Sequence, residues 1–188
     1  MKVIDNAINE SYQDFIETLF GGVDMPWYYN PSISLSNPEA GDTNEGFAQV
    51  TYDILNNGFK TPFSDITMPI LLEGVYKHNK YKVRIEDIIR IRVGMFLKNQ
   101  SPGDHLPHVD YKFPHTTLLY YVNDSDGPTK IYNDQRRVIK EVKPKRGRVL
   151  IFDGNYYHSS SGPVKSARRI AINFNFLMNQ PIPSGEYR

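Results

Sequence analysis

His108 and Asp110 stand two residues apart in Pro107-His-Val-Asp110. On extended backbone the side chains at i and i+2 leave the same face, so this imidazole and this carboxylate reach one cation together. Alone the pair is a weak signal, and a loop histidine beside a turn aspartate is the plain alternative. His158 strengthens it. It follows the hydrophobic run Val149-Leu-Ile-Phe152-Asp153 and the Gly154-Asn155 turn, which puts a third ligand at a strand end. Two histidines and one carboxylate cover one face of an octahedron and leave the other positions open, a donor set that suits iron taking up oxygen and a chelating co-substrate. His105 and His115 flank the pair as alternative ligands or as outer partners of the ligands.

A co-substrate that chelates a metal must be gripped at its far end, and a planar guanidinium is the best bidentate partner for a carboxylate. Arg168 and Arg169 follow His158 at the start of Ile170-Ala-Ile-Asn-Phe174-Asn-Phe176. Alternation places Ile170, Ile172, Phe174 and Phe176 on one face with Arg168, and Ala171 and Asn173 on the other with Arg169. The greasier face packs against helices and the more polar one lines a cavity, which makes Arg169 the choice for the clamp and Arg168 the alternative.

The elements around these residues are legible in outline. The 188 residues carry 22 Lys+Arg and 21 Asp+Glu, a net charge of +1, so no global field draws the chain to nucleic acid or anionic lipid. The absence of cysteine excludes a disulfide framework, an iron–sulfur cluster, a thiolate zinc site and a cysteine nucleophile. No apolar run reaches membrane-spanning length and the N-terminus lacks a signal-peptide pattern, so a soluble, cytoplasmic protein is expected. Ile8, Tyr12, Phe15, Ile16 and Leu19 form a helical stripe capped by Asp5 or Asn6 and stopped by Gly21-Gly22. Residues 23–46 read as a long loop, with Trp27-Tyr28-Tyr29 either anchoring it or covering a site; 47–55 is ambiguous between strand and helix. A second helix starts near Ser64 or Asp65.

Beyond residue 81 short β-rich runs at 83–85, 88–97, 116–122, 129–132, 137–142, 148–153 and 168–177 alternate with Pro, Gly, Asn and Asp clusters, the texture of a sandwich or barrel. The expectation is an α+β, mainly β chain forming a single domain over 1–188, with a helical and loop part at 1–80 packing on a β core at 81–178 that carries the metal site. Arg136, Arg137, Lys140, Lys143, Lys145, Arg146 and Arg148 form a basic run, read as a solvated rim in preference to a nucleic-acid surface.

Taken together, His108-x-Asp110, Thr117-Leu-Leu-Tyr-Tyr121-Val-Asn123, Pro144-Lys-x-Gly147-Arg-Val-Leu-Ile-Phe152, His158 and Arg169-Ile-Ala-Ile resemble the 2-oxoglutarate/Fe(II)-dependent dioxygenase superfamily, most closely its prolyl-4-hydroxylase-like branch. The resemblance runs over about residues 83–177. It implies a double-stranded β-helix, or jelly roll, with His108, Asp110 and His158 holding Fe(II) and Arg169 binding the far carboxylate of 2-oxoglutarate. Tyr121 matches a tyrosine that bonds the same carboxylate in prolyl-hydroxylase relatives. The implied chemistry is hydroxylation of an unactivated C–H with O2, releasing succinate and CO2, on a peptidyl side chain or a small molecule. Two departures stand out. Asp126-Gly-Pro-Thr129 replaces the family's second glycine with proline, and Arg92-Val-Gly-Met-Phe96 has no tyrosine where relatives carry one before the His-x-Asp loop. The competing classes are a jelly-roll binding or structural module with a vestigial metal site, and a cupin-like metal enzyme that would use His105. Oligomeric state is not encoded in any pattern found.

Overall fold

The computed structural model describes residues 1–33, 45–79, 84, 87–98 and 103–178. Eleven strands and two helices follow the order β1 (Lys2–Ile4), α1 (Glu10–Gly21), β2 (Tyr28–Asn30), β3 (Gly46–Asp53), β4 (Phe59–Lys60), α2 (Pro62–Asn79), β5 (Ile88–Leu97), β6 (Thr116–Tyr121), β7 (Thr129–Tyr132), β8 (Val138–Val142), β9 (Val149–Asp153), β10 (His158–Ser160) and β11 (Arg168–Phe176). The large antiparallel sheet runs β1-β9-β6-β11-β5-β3-β2, with β4 on β3; a smaller sheet runs β10-β7-β8. This is the jelly roll expected. Of the predicted runs, 83–85 falls largely outside the described residues, as do 34–44 of the expected loop.

The large sheet has two unlike faces because its strands alternate. On β5, Ile91, Val93 and Met95 join Ile170, Ile172, Phe174 and Phe176 of β11 in a core shared with Ile16 and Phe20 of α1 and Ile70, Leu71 and Val75 of α2. The other face presents Arg90, Arg92, Gly94 and Phe96 on β5, in register with Asn175, Asn173, Ala171 and Arg169 of β11. Period-2 alternation thus separates a dry helix-side core from a polar interior between the sheets.

The N-terminal part differs from expectation in three respects. Residues 2–4 form a strand on β9, so α1 begins only at Glu10, capped by the Asn9 side chain accepting from Ser11 N–H at 2.9 Å, and not at Asp5 or Asn6. Segment 1–80 also contributes β2, β3 and β4 to the large sheet. The ambiguous run 47–55 is mostly β3, with an irregularity between Val50 and Tyr52. Beyond that bulge the faces switch phase, so Ala48, Val50 and Asp53 face the interior while Tyr52 joins the core. Trp27 packs on the core, whereas Tyr28 and Tyr29 stay exposed.

The C-terminal end of the basic run, Lys145, Arg146 and Arg148, pairs with N-terminal acids. Arg146 contacts Asp14, with Glu17 at 3.7 Å, while Arg148 Nε donates to Asp5 at 2.6 Å and Lys145 reaches the same carboxylate at 3.4 Å. These pairs tie the start of the chain to the turn between β8 and β9. No helix among the described residues is long and apolar enough to cross a membrane.

Candidate metal centre

His108 lies opposite His158 in an isolated antiparallel bridge. His108 N–H donates to His158 C=O at 3.0 Å and His158 N–H returns to His108 C=O at 2.9 Å, so the two imidazoles leave neighbouring backbones with centroids 4.6 Å apart. Asp110, two residues on, joins them. His108 Nε2 is 3.9 Å from Asp110 Oδ1, His158 Nε2 is 3.8 Å from Oδ2, and all three ligand atoms fall within 4.8 Å of one another.

Outer contacts set the state of each group. His108 Nδ1 lies 3.2 Å from Leu106 C=O and His158 Nδ1 lies 3.3 Å from Tyr156 C=O. A carbonyl only accepts, so each Nδ1 carries the proton and each Nε2 keeps its lone pair for a cation. Asp110 Oδ2 accepts from Asn173 Nδ2 at 2.9 Å and Asn175 Nδ2 at 2.8 Å, and Oδ1 from Arg90 Nη2 at 3.3 Å. Burial opposes its charge, yet His158, Arg90, His108 and the Asn173 amide hold the carboxyl well below the usual carboxylate range. The donor atoms are therefore two imidazole Nε2 atoms and an ionised carboxylate on one side of a cavity, a set that fits Fe(II).

A narrow cavity of about 80 Å³ leads from these ligands past Gly94, Leu119 and Ala171 to Thr129 and Arg169. Gly94 pairs with Ala171 on one side and Ala48 on the other, a row of the smallest side chains, and a Cβ added at Gly94 would meet nothing within 4 Å. At the far end Arg169, 4% exposed, donates from Nε to Gly127 C=O at 3.0 Å and from Nη2 to Thr129 Oγ1 at 2.9 Å. Arg168 is on the outside, against Gly21.

Tyr121 is fully buried, and its hydroxyl donates to the same Thr129 Oγ1 at 2.9 Å. Thr129, and not Tyr121, lines the cavity. Nothing in the sequence singles out Thr129, although it follows the unusual Asp126-Gly-Pro turn directly. Here Asp126 accepts the backbone N–H groups of Val164, Lys165 and Ser166, which hold its carboxyl well below the usual range, Ser166 foremost. A Cβ at Gly127 would come within 2.3 Å of Ser161 C=O. Gly127→Ala is therefore expected to destabilise the fold by about 1–3 kcal/mol in urea unfolding, and to loosen the carbonyl that orients Arg169.

Neither flanking histidine joins the ligand set. His105 packs 4.5 Å from the Phe96 ring with Nδ1 at 3.2 Å from Ser160 Oγ, and His115 is buried with Nδ1 at 2.8 Å from Phe113 C=O. Asp153 accepts from Asn155 N–H at 3.0 Å, shaping the turn before His158.

The profile of the 2OG-Fe(II) oxygenase superfamily matches residues 95–177, which include all three candidate ligands and Arg169. The matched segment, somewhat under half of the chain, is similar to that superfamily. A search of curated protein sequences returns no match. Among solved structures, an oxidoreductase of the 2OG-Fe(II) oxygenase family from Burkholderia pseudomallei superposes with TM-score 0.67 at 13% identity, covering 93% of this chain and 84% of that one. A Trichoplax adhaerens prolyl hydroxylase, solved with a hypoxia inducible factor oxygen degradation domain peptide, gives 0.57 at 15% identity, with 94% and 82% covered. A Pseudomonas putida prolyl-4-hydroxylase gives 0.58 at 10% identity, with 94% and 92% covered. At these identities the likeness is one of fold.

In this oxygenase fold, acid stability follows from the histidines around the site. Burial lowers His105 to about 3, helped by Arg169, and His108 to about 4, helped by His158. The unfolded chain takes up these protons near pH 6.5 and the folded one does not, so stability is full above pH 6.5 and falls as pH drops towards 4. Urea unfolding of the metal-free protein between pH 7.5 and 4.5 checks this; a flat profile would contradict it.

Proposed function

We propose that the chain is a 2-oxoglutarate- and Fe(II)-dependent dioxygenase that hydroxylates an unactivated C–H bond of a peptidyl side chain or a small molecule, with residues 1–80 packing on 81–178 as one domain. The observation that carries this reading is a single narrow cavity with a two-histidine, one-carboxylate cluster at one end and a buried arginine at the other.

His108, Asp110 and His158 would hold Fe(II). With 2-oxoglutarate and O2 bound, Fe(II) held there would supply the oxidising power to break a C–H bond, with succinate and CO2 as co-products. The protein supplies position and dryness. Arg169, fixed by Gly127 and Thr129, presents its remaining N–H groups to the distal carboxylate, while Tyr121 holds Thr129 from behind. Gly94 and Ala171 leave room between grip and metal, and Phe96 and Leu119 wall it off from water. Asn173 and Asn175 aim the Asp110 carboxylate, so no side chain need act as a proton-transfer catalyst.

The test is oxygen-dependent conversion of 2-oxoglutarate to succinate by the Fe(II)-loaded protein, which many such sites perform slowly without their prime substrate. Succinate formation is expected. Tight iron binding without it would favour a binding module over an enzyme.

A further inference from the structure

Beside the ligand cluster opens a second, larger cavity of about 700 Å³, in the size range of small-molecule sites. Its wall is the interior face of β2, β3 and β5, where register aligns Tyr28 with Ala48, Val50 with Arg92, and Asp53 with Arg90. Asp110 and His108 form its inner end, so whatever fills it sits against the metal position.

This wall carries Arg90 and Arg92 with Asp53 and Asp110, but of the two arginines only Arg90 is ion-paired among the described residues. Arg92 has no carboxylate within salt-bridge distance among the described residues, and its Nη1 donates to Ile33 C=O at 2.8 Å. Arg90 reaches one carboxylate, Asp110, at 3.3 Å, and its Nε is buried with no acceptor. Asp110 serves two imidazoles and two asparagine amides as well, and would give charge to a bound cation. Asp53 Oδ1 is occupied by the N–H groups of Leu55 and Asn56, closing its own turn. Two guanidiniums on adjacent same-face positions of one strand repel each other, and keeping Arg92 there without a paired carboxylate is costly. Such an arrangement is at rest when an anion arrives between them.

Resting on the oxygenase reading above, we propose that the substrate is a small molecule bearing an oxyanion, a carboxylate or a phosphate, which Arg92 grips, with Arg90 beside it, so that a neighbouring C–H faces the metal. Tyr28, Ala48, Val50 and Phe59 supply the apolar part of a lining that also holds Asn30, Gln49 and Thr61. An internal peptidyl side chain, neutral on both flanks, leaves Arg92 unmatched.

The experiment is calorimetric titration of protein loaded with Zn(II) and saturating 2-oxoglutarate, which occupies Arg169 and cannot turn over. The probes are N-acetyl-L-leucine and N-acetyl-L-proline, their neutral primary amides, and phenyl phosphate. At least one anion is expected to bind tenfold or more tightly than the amides, with the better of carboxylate and phosphate naming the group. Arg92→Gln should reduce that preference to threefold or less, and Arg92→Lys, which keeps the charge and reports on folding, should retain most of it. Equal binding of acids and amides, no binding of any anion, or a preference that survives in Arg92→Gln would each overturn the proposal. Wild-type succinate formation in the same preparation separates the two readings: succinate without anion preference sinks the pocket alone, and anion preference without succinate keeps the pocket and sinks the oxygenase.

Discussion

Asp110→Ala is expected to lower succinate formation by more than about 100-fold, beyond the roughly 10–100-fold typical of losing an outer partner of a metal ligand. The substitution removes the ionised donor and leaves the amides of Asn173 and Asn175 and the Arg90 guanidinium without their shared acceptor. Iron affinity should collapse with activity. His108→Ala and His158→Ala should do the same, whereas His105→Ala should not, since His105 packs on Phe96 and bonds Ser160 outside the ligand cluster. Asn173→Ala offers a graded comparison. It removes one of two amides on Asp110 Oδ2, so a partial loss is expected. Succinate formation and iron content measured side by side decide the matter; full turnover in any of the three ligand variants would refute their assignment.

The second large effect concerns Arg169. A charge-assisted hydrogen bond is worth about 1.5–3 kcal/mol, so Arg169→Ala should raise the 2-oxoglutarate concentration needed for half-saturation by about 10- to 100-fold. Iron binding should change far less, because the guanidinium is held by Gly127 and Thr129 and not by the metal ligands. Arg169→Lys keeps the charge but loses the planar fork and should fall between. Gly94→Val attacks the same cavity from its floor. Its side chain would project into open space between Arg169 and the cluster, so it should weaken 2-oxoglutarate while leaving iron bound.

Much of this site was readable before any coordinates. The i, i+2 spacing of His108 and Asp110 and the strand-end position of His158 identify a candidate cluster, because extended backbone and turn chemistry are local. The reciprocal hydrogen bonds that set His108 against His158 are not local: they join residues 50 positions apart, one in a loop and the other at the start of the three-residue strand β10. Alternation along 168–176 puts Arg169, Ala171 and Asn173 on one face, but says nothing of Asn173 and Asn175 converging on Asp110. Thr129 escaped notice because its role depends on a turn whose geometry is fixed by Asp126 capping a distant loop.

The N-terminal misreadings have equally physical causes. A three-residue strand at Lys2–Ile4 is too short to display a period, and forms because β9 offers an edge. The bulge after Val50 breaks the alternation of β3 mid-strand, which is why that segment resembles helix and strand equally. Trp27 anchors the core while Tyr28 pairs across from Ala48 and stays exposed, so the aromatic triplet divides at its first residue.

The most direct test of the central claim is an anaerobic titration of the metal-free protein with Fe(II) and 2-oxoglutarate, following the weak visible charge-transfer band of the chelate, repeated with Arg169→Ala. The account predicts a band in the wild-type protein that needs Fe(II) and 2-oxoglutarate together, and that appears in the variant only at about 10- to 100-fold higher 2-oxoglutarate. Iron that binds to His108, Asp110 and His158 without producing any band would contradict it.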